Sequence, residues 1–332
     1  RKMKRILVLG AGESGAGAAV LAKKQGFDVF VSDTSKVKDQ YKKLLDDHGI
    51  EWEEGHHTEE KVLSADEVIK SPGIPDSVPM IQRLIQQGTP IISEIEFAGR
   101  YTHSKMVCIT GSNGKTTTTY LVKHMLEDAG HKVGLIGTNQ NLIGDEVIET
   151  ERTTPESYEL HALFARMRDA GCTHVIMEVS SHSLVLDRVH GIPFAVGAFT
   201  NLTQDHLDFH KTMEEYRKAK ALLFSISKKG VINLDDAAAE KMLADAKCPC
   251  MTFSCGKPEA DLEATDLQLH ADGVEFTAQY QGEKADVKLP IPGHFSVENA
   301  LTALGIVLQL GMPLADAAKS MATATGVKGR VE

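Results

Sequence analysis

The stretch Val107-Cys-Ile-Thr-Gly-Ser-Asn-Gly-Lys-Thr-Thr-Thr-Thr119 limits what this chain can fold into more than any other segment. It is an apolar run, a glycine turn, a lysine and four threonines. Apolar residues then recur at helical spacing through YLVKHMLEDAG. A buried strand that turns through glycines into a helix belongs to an α/β layer, because parallel neighbours are joined by crossover helices. The usual phosphate-loop pattern G-x-x-x-x-G-K-[ST] asks for a glycine where Ile109 stands. The nearest one is Gly111, which gives the shorter G-x-x-G-K-T. Backbone N–H groups at a helix start favour an anion, Lys115 can reach terminal phosphates, and Thr116 can ligate Mg²⁺. An ordinary glycine turn has no folding use for a lysine and four threonines at that place.

A second unit of the same kind opens the chain. In RILVLGAGESGAGAAVLAKKQGFDVFVSD, Ile6 to Leu9 form an apolar run, Gly10, Gly12 and Gly15 match G-x-G-x-x-G, and Asp33 ends the next strand. Glycines allow close approach of a phosphate, and the carboxylate suits a ribose hydroxyl. A nicotinamide dehydrogenase is one reading. Any nucleotide with a phosphate and a ribose would use the same geometry. The pattern continues through EVIKSPGIP to PIISEIEFAG, so five short strands are expected within the first hundred residues.

The 332 residues are 42% hydrophobic and 25% charged, an ordinary globular balance whose length suggests two domains. No apolar run is long enough to span a membrane, and that of RKMKRILVLG is too short for a signal-peptide core. A net charge of −10 argues against a broad basic face for nucleic acid. Five cysteines, an odd number, fit a reducing cytoplasm. Cys248, Cys250 and Cys255 cluster without a C-x-x-C pair, short of the four ligands of a structural zinc.

Later strands end in polar groups. THVIMEVSSHS finishes in Glu178, Ser180, Ser181 and His182; FAVGAFTNLTQDHLDFH finishes in Asn201, Thr203, Asp205, His206 and His210. Ligands of open α/β sheets bind beyond the carboxyl ends of strands, which puts Glu178 and His206 on the rim that carries Lys115. The i,i+4 pair His206/His210 admits a zinc reading but lacks an H-E-x-x-H context. In the helix YRKAKALLF, Lys220 lies beside apolar residues, where a lysine ordinarily snorkels to solvent. Residues 261–290 alternate apolar and polar around Asp272-Gly273 and Gln281-Gly282, as antiparallel hairpins do. GHFSVENALTALGIVLQLG reads as a helix with an apolar stripe, with His294 and Asn299 near its start.

Taken together, GSNGKTTTT, TTPES at 153–157, EVSSHSL at 178–184, TNLTQDHLDFH at 200–210, YRKAKALLF and the GR at 329–330 resemble the motifs of the Mur ligase family, in the same order. These are ATP-dependent enzymes that build the peptide of bacterial cell-wall precursors. Residues 1 to about 119 resemble the branch that adds D-glutamate. From about Gly134 onward the chain is similar to the branch that adds diaminopimelate or lysine, which suggests a natural or engineered hybrid.

The resemblance implies an α/β fold with a Rossmann-like UDP-binding domain over 1–104 and a P-loop-type ATPase domain over 105–332. The second would have a mostly parallel sheet with appended antiparallel hairpins. It also implies that the family's C-terminal, amino-acid-binding domain is absent and that full ligation is impaired. ATP and Mg²⁺ are the implied cofactors. A UDP-N-acetylmuramoyl-peptide and an amino acid (D-glutamate, diaminopimelate or lysine) are the implied partners, with neither nucleic acid nor membrane. By resemblance, Gly111, Ser112, Asn113, Gly114, Lys115, Thr116 and Thr117 would hold the ATP phosphates, and Asn299 and Arg330 would contact the nucleotide. Thr116 and Glu178 would bind one Mg²⁺; His206 and a carbamylated Lys220 would serve the second. Thr153, Thr154, Ser180 and Arg188 would meet the muramoyl-peptide, and Ser14, Gly15, Asp33, Thr34 and Gly73 the uridine diphosphate. The competing readings are a nucleotide-binding fragment without turnover and an NAD-dependent dehydrogenase.

Overall fold

A computed structural model describes residues 3–71, 73–101, 103–149, 153–155, 157–189, 191–204 and 207–327. The chain divides into two units, one of residues 1–102 with 156–163 and 189–192, the other of 103–155, 164–188 and 193–332.

The first unit alternates strand and helix. Its elements are β1 (Arg5–Leu9), α1 (Glu13–Lys24), β2 (Asp28–Asp33), α2 (Asp39–Asp47), β3 (Glu51–Glu54), α3 (Glu59–Leu63), β4 (Glu67–Lys70), α4 (Pro79–Gln87), β5 (Ile91–Ile92) and α5 (Glu94–Gly99). The five strands form one parallel sheet in the order β3-β2-β1-β4-β5. Ile6, Leu7, Val8 and Leu9 are all buried, because α1 and α5 cover one face of the sheet and α3 and α4 the other. The order reverses between β1 and β4, the place where such sheets bind ligands. There Gly10 has φ +101°, and a Cβ on it would come within 3.1 Å of the Ser71 Cβ. Gly15 has no room for a side chain, since a Cβ there would overlap the Gly10 carbonyl oxygen. The glycines thus set α1 directly against the β1 turn.

The second unit runs β6 (Lys105–Thr110), α6 (Lys115–Asp128), β7 (Val133–Ile136), β8 (Asn141–Ile143), β9 (Glu146–Ile148), α7 (Ser157–Asp169), β10 (His174–Glu178), α8 (Ser181–Val185), β11 (Phe194–Phe199), α9 (Leu207–His210), α10 (Met213–Ala221), β12 (Gly230–Asn233), α11 (Ala239–Asp245), β13 (Cys250–Ser254), β14 (Leu262–His270), β15 (Gly273–Tyr280), β16 (Glu283–Leu289), α12 (His294–Gln309) and α13 (Leu314–Met321), except that the first part of α7, to residue 163, groups with the first unit. Its sheet has eleven strands in the order β16-β15-β14-β13-β12-β11-β6-β10-β7-β8-β9. The strands from β7 to β14 in that order are parallel. β14, β15 and β16 form the expected antiparallel hairpins, turning at Asp272 and Gln281-Gly282. A second antiparallel meander, β7-β8-β9, was not anticipated from the sequence.

The expected apolar stripe on α12 is corrected. Every residue from Ser296 to Val307 except Glu298 is buried, so the helix is covered nearly all round. It packs against α6, α13 and the strands β11 to β15. Among the described residues, no helix is long and apolar enough to cross a membrane.

Candidate nucleotide site

The site is built on the carboxyl ends of β6, β10 and β11, which lie side by side with Ile109 opposite Glu178 and Thr110 opposite Phe199. The chain leaves β6 into Gly111–Gly114 and enters α6 at Lys115. Glycine at 111 is a packing requirement, because a Cβ there would overlap the Thr200 hydroxyl. Gly114 has φ +83° and lies under Asn299, whose side-chain oxygen would overlap a Cβ at 114. Asn299, 5% exposed, is thus seated on the loop.

The end of β11 clamps the loop from the other side. The Ser112 N–H donates to Asn201 O at 2.9 Å, the Asn113 N–H to Asn201 Oδ1 at 2.9 Å, and the Thr200 hydroxyl to Asn113 O at 2.6 Å. Thr203 meets Ser112 and Asn113, its N–H donating to Ser112 Oγ at 2.9 Å and its Oγ1 accepting from Asn113 Nδ2 at 3.2 Å. The Lys115 ammonium folds over the loop, donating to Gly111 O at 2.8 Å and Ser112 O at 3.2 Å. Thr116, Thr117, Thr118 and Thr119 are all buried, and Thr119 donates back to Thr116 O. The hydroxyls of Thr110 and Thr118, on either side of the loop, are buried and lack a partner among the described residues.

Glu178 ends β10 and is 1% exposed. Its carboxylate accepts from the Thr138 N–H at 3.1 Å and the Thr138 hydroxyl at 2.8 Å, and no basic side chain pairs with it among the described residues. A buried carboxylate without a cation is costly, and a divalent ion answers it. Glu178 and the hydroxyl of Thr116 therefore fit one Mg²⁺ by donor chemistry. Thr153 and Thr154 adjoin this point: the Thr138 and Thr153 hydroxyls lie 3.1 Å apart, and Thr154 donates to Glu178 O at 3.0 Å. Ser180 caps α8 by accepting from the Ser183 N–H, while its own N–H donates to Thr154 Oγ1 at 3.2 Å. Arg188 follows, its N–H bonded to Ser183 O.

The snorkelling lysine expected on α10 is corrected. Lys220 is 1% exposed, with its nitrogen 4.5 Å from the centre of the Tyr216 ring. Tyr216 is fully buried, reaches Ser112 Oγ at 3.2 Å and stacks on His210 at 5.0 Å. His210 Nε2 lies 2.8 Å from Ser181 Oγ. Lys220, the loop and the segment after Glu178 therefore belong to one connected cluster. The sequence did not single out Tyr216, Thr200 or Thr138. Polar residues at or just past strand ends were the available signal for the last two. His206 and Arg330 lie outside the described residues. No group of three or more His, Cys, Asp or Glu able to hold a metal occurs among the described residues, and all five cysteines are free thiols.

In the first unit, Asp33 accepts at both oxygens, from the Ala11 N–H of the glycine turn and from the Ser35 N–H, each at 2.7 Å. Ser14 is half-buried at the start of α1, and Thr34 and Gly73 are exposed beyond the ends of β2 and β4. Behind them the buried Ser32 Oγ meets both Glu53 Oε1 and His57 Nδ1 at 2.6 Å, a half-buried polar contact that the sequence did not reveal. Burial pushes the His57 imidazole below its ordinary pKa, outweighing the nearby Glu53 and Asp33 charges.

A protein-family model described as the Mur ligase middle domain matches residues 109–307, the stretch that holds the loop, Glu178, Lys220 and Asn299. The chain belongs to the Mur ligase family. A second model, the MurD N-terminal domain, matches residues 5–79 of this Mur ligase. The chain is 43% identical over 99% of its length to a UDP-N-acetylmuramoylalanine–D-glutamate ligase of Bacteroides fragilis, covering 70% of that protein. It is 48% identical over 69% of its length to a UDP-N-acetylmuramoyl-L-alanyl-D-glutamate–2,6-diaminopimelate ligase of Clostridium tetani, covering 47% of that protein. Among solved structures, one of a 2,6-diaminopimelate ligase of the same name superposes with a TM-score of 0.67 at 26% identity, over 99% of this chain and 62% of that one. A pseudomurein peptide ligase type C from Methanothermus fervidus, at 22% identity and TM-score 0.57 over 99% and 72% of the two chains, shares the fold. The relatives place this Mur ligase with ATP-dependent, amide-bond-forming enzymes.

Proposed function

We propose that this Mur ligase chain holds Mg-ATP on Gly111–Thr117 and activates the terminal carboxylate of a UDP-N-acetylmuramoyl-peptide for amide formation with an amino acid. The observation that carries the reading is the loop itself. Gly111 and Gly114 are pinned beneath Thr200 and Asn299, the Lys115 ammonium is held on loop carbonyls, and the Glu178 carboxylate is buried without a basic partner among the described residues. When phosphates enter, Lys115 exchanges its carbonyl partners for phosphate oxygens. The amides of Ser112 to Thr117 and the start of α6 favour the same anion. Thr116 and Glu178 would hold one Mg²⁺; His206 and Lys220, the latter as a carbamate, would hold another. The metal supplies charge neutralisation on the transferring phosphoryl group.

In the reaction, the substrate carboxylate accepts the γ-phosphoryl group to give an acyl phosphate and ADP; the amine then displaces phosphate through a tetrahedral intermediate. Lys115 stabilises charge in the first step. Thr153, Thr154, Ser180 and Arg188 orient the muramoyl-peptide, Asn299 and Arg330 contact the nucleotide, and Ser14, Gly15, Asp33, Thr34 and Gly73 hold the uridine diphosphate. The MurD-type match over residues 5–79 favours this use of the G-x-G-x-x-G over a dehydrogenase. The name of the Bacteroides relative supports D-glutamate as the added residue, and that of the Clostridium relative supports 2,6-diaminopimelate.

The test is calorimetric titration of the chain with an ATP analogue plus Mg²⁺, and separately with UDP. Lys115→Ala should weaken the analogue at least tenfold, about 1.4 kcal/mol or more for a lost charge-assisted contact, and leave UDP within twofold. Unchanged analogue affinity in that variant overturns the assignment.

A further inference from the structure

A cavity of about 590 Å³ opens in the second unit at the edge of the sheet where the parallel strands begin, the edge away from the glycine loop. Lys105 starts β6 and His174 starts β10; the end of α6, the residues just after α12 and α13 along its length complete the wall. None of these groups takes part in the nucleotide site.

The lining mixes three chemistries. Met125, Leu126, Met312 and Pro313 give it apolar surface. Lys105 and Lys319 face it with positive charge, Asp128 and Asp316 with negative, so the formal charges balance. Asp128 is partly engaged, accepting from the Ser320 hydroxyl at 2.6 Å with His124 Nε2 3.5 Å away, while Lys105, Lys319 and Asp316 have no side-chain partner among the described residues. His174, 4% exposed, has Nδ1 2.9 Å from the Thr173 hydroxyl, and its Nε2 has no hydrogen-bond partner among the described residues. The helix ends add fixed dipoles of both signs. α6 and α12 finish here and α13 starts here, so the negative ends of two helix dipoles and the positive end of a third adjoin the cavity.

Concave sites of about 300–1,000 Å³ with apolar walls and a few placed polar groups are those that take small molecules. The four charged side chains are exposed at the mouth, where a singly charged guest would meet charges of its own sign as well as the opposite one, while a zwitterion can pair with both. We propose that this cavity binds a zwitterionic small molecule with an apolar body, a free apolar amino acid or a dipeptide of such residues, its carboxylate paired with a lysine and its ammonium with an aspartate. The proposal rests on the cavity alone and stands or falls apart from the nucleotide reading.

The experiment is calorimetric titration of the full chain with L-leucine and L-leucyl-L-leucine. 4-Methylpentanoate and isopentylamine, each lacking one charge, are the comparison probes. Saturable binding of a zwitterion at one site per chain is expected, at least tenfold tighter than either singly charged probe. The exposed rim variants Asp316→Asn and Lys319→Gln should each weaken it at least fivefold with an unchanged melting temperature. Absence of saturable zwitterion binding overturns the proposal. So does equal binding of a singly charged probe, or wild-type affinity in both rim variants.

Discussion

The nitrogen of Lys220 lies 4.5 Å from the centre of the Tyr216 ring, with both side chains withdrawn from water and the tyrosine hydroxyl 3.2 Å from Ser112 of the glycine loop. A lysine so placed is one side chain away from the nucleotide site. In its neutral form its amine adds CO₂ and loses a proton, becoming a carbamate whose oxygens suit a hard cation. After equilibration with ¹³C-bicarbonate, the chain should show one carbamate carbon resonance that Lys220→Arg lacks. A spectrum identical in the two proteins refutes carbamylation at this position.

Gly111→Ala should disturb the loop through Thr200. The added methyl overlaps the Thr200 hydroxyl, which must leave its 2.6 Å bond to Asn113 O. Overpacking of this kind costs about 1–3 kcal/mol. Urea unfolding should show that loss, and ATP-analogue affinity should fall at least tenfold. Adding Thr200→Ala removes the clashing oxygen, so the double variant should recover part of the stability of the single one, a coupling that a double-mutant cycle reads directly.

Glu178→Gln separates fold from metal. Glutamine keeps an acceptor for the Thr138 N–H, and the Thr138 hydroxyl can turn to accept from the new amide. Without metal, the variant should melt at or above the wild-type temperature, because it removes a buried charge that no basic group among the described residues answers. With ATP analogue and Mg²⁺, the wild type should gain stability that the variant does not. Equal stabilisation of both proteins in a thermal-shift titration would count against Glu178 as a ligand.

The His174 imidazole is pushed down from 6.5 to about 4, first by burial and then by the neighbouring charges of His131 and Lys105. Its folded pKa is depressed, so between these values the unfolded chain binds the proton and the folded chain does not. Stability is therefore complete above pH 6.5 and falls as pH drops toward 4, by about 2–3 kcal/mol for this group. Denaturant unfolding at pH 7.5 and 4.5 should show a smaller acid loss in His174→Gln than in the wild type.

The sequence announced those features that leave a mark on their own residues, even where the constraint comes from elsewhere in the chain. Gly10, Gly15, Gly111 and Gly114 are needed where a backbone or a neighbouring side chain leaves no room, and such glycines stand out at fixed spacing. Asp272-Gly273 and Gln281-Gly282 bend the chain by their own torsional freedom, so the β14–β16 hairpins were legible. What stayed hidden depends on distant partners. RKAK on α10 has the look of a solvated helix face, and it is packing against α8, α9, α11 and the loop that turns Lys220 and Tyr216 inward. The strands β8 and β9 have three residues each, too few to show a period, although Gly144 marks their turn. The near-complete burial of α12 needs five strands together with α6 and α13 packed on it, which no window of its own sequence contains.

The overlap that forbids a side chain at Gly111 has a bearing on recombination. Thr200 and Asn299, which cap the two loop glycines, come from positions far downstream in the chain. Transplanting a longer phosphate loop from another ATPase would deliver its insert against both. Only a cassette that exchanges the loop, the end of β11 and the start of α12 together would arrive with matching surfaces. Shuffled libraries of such chains should therefore retain function mainly where these three segments share a parent.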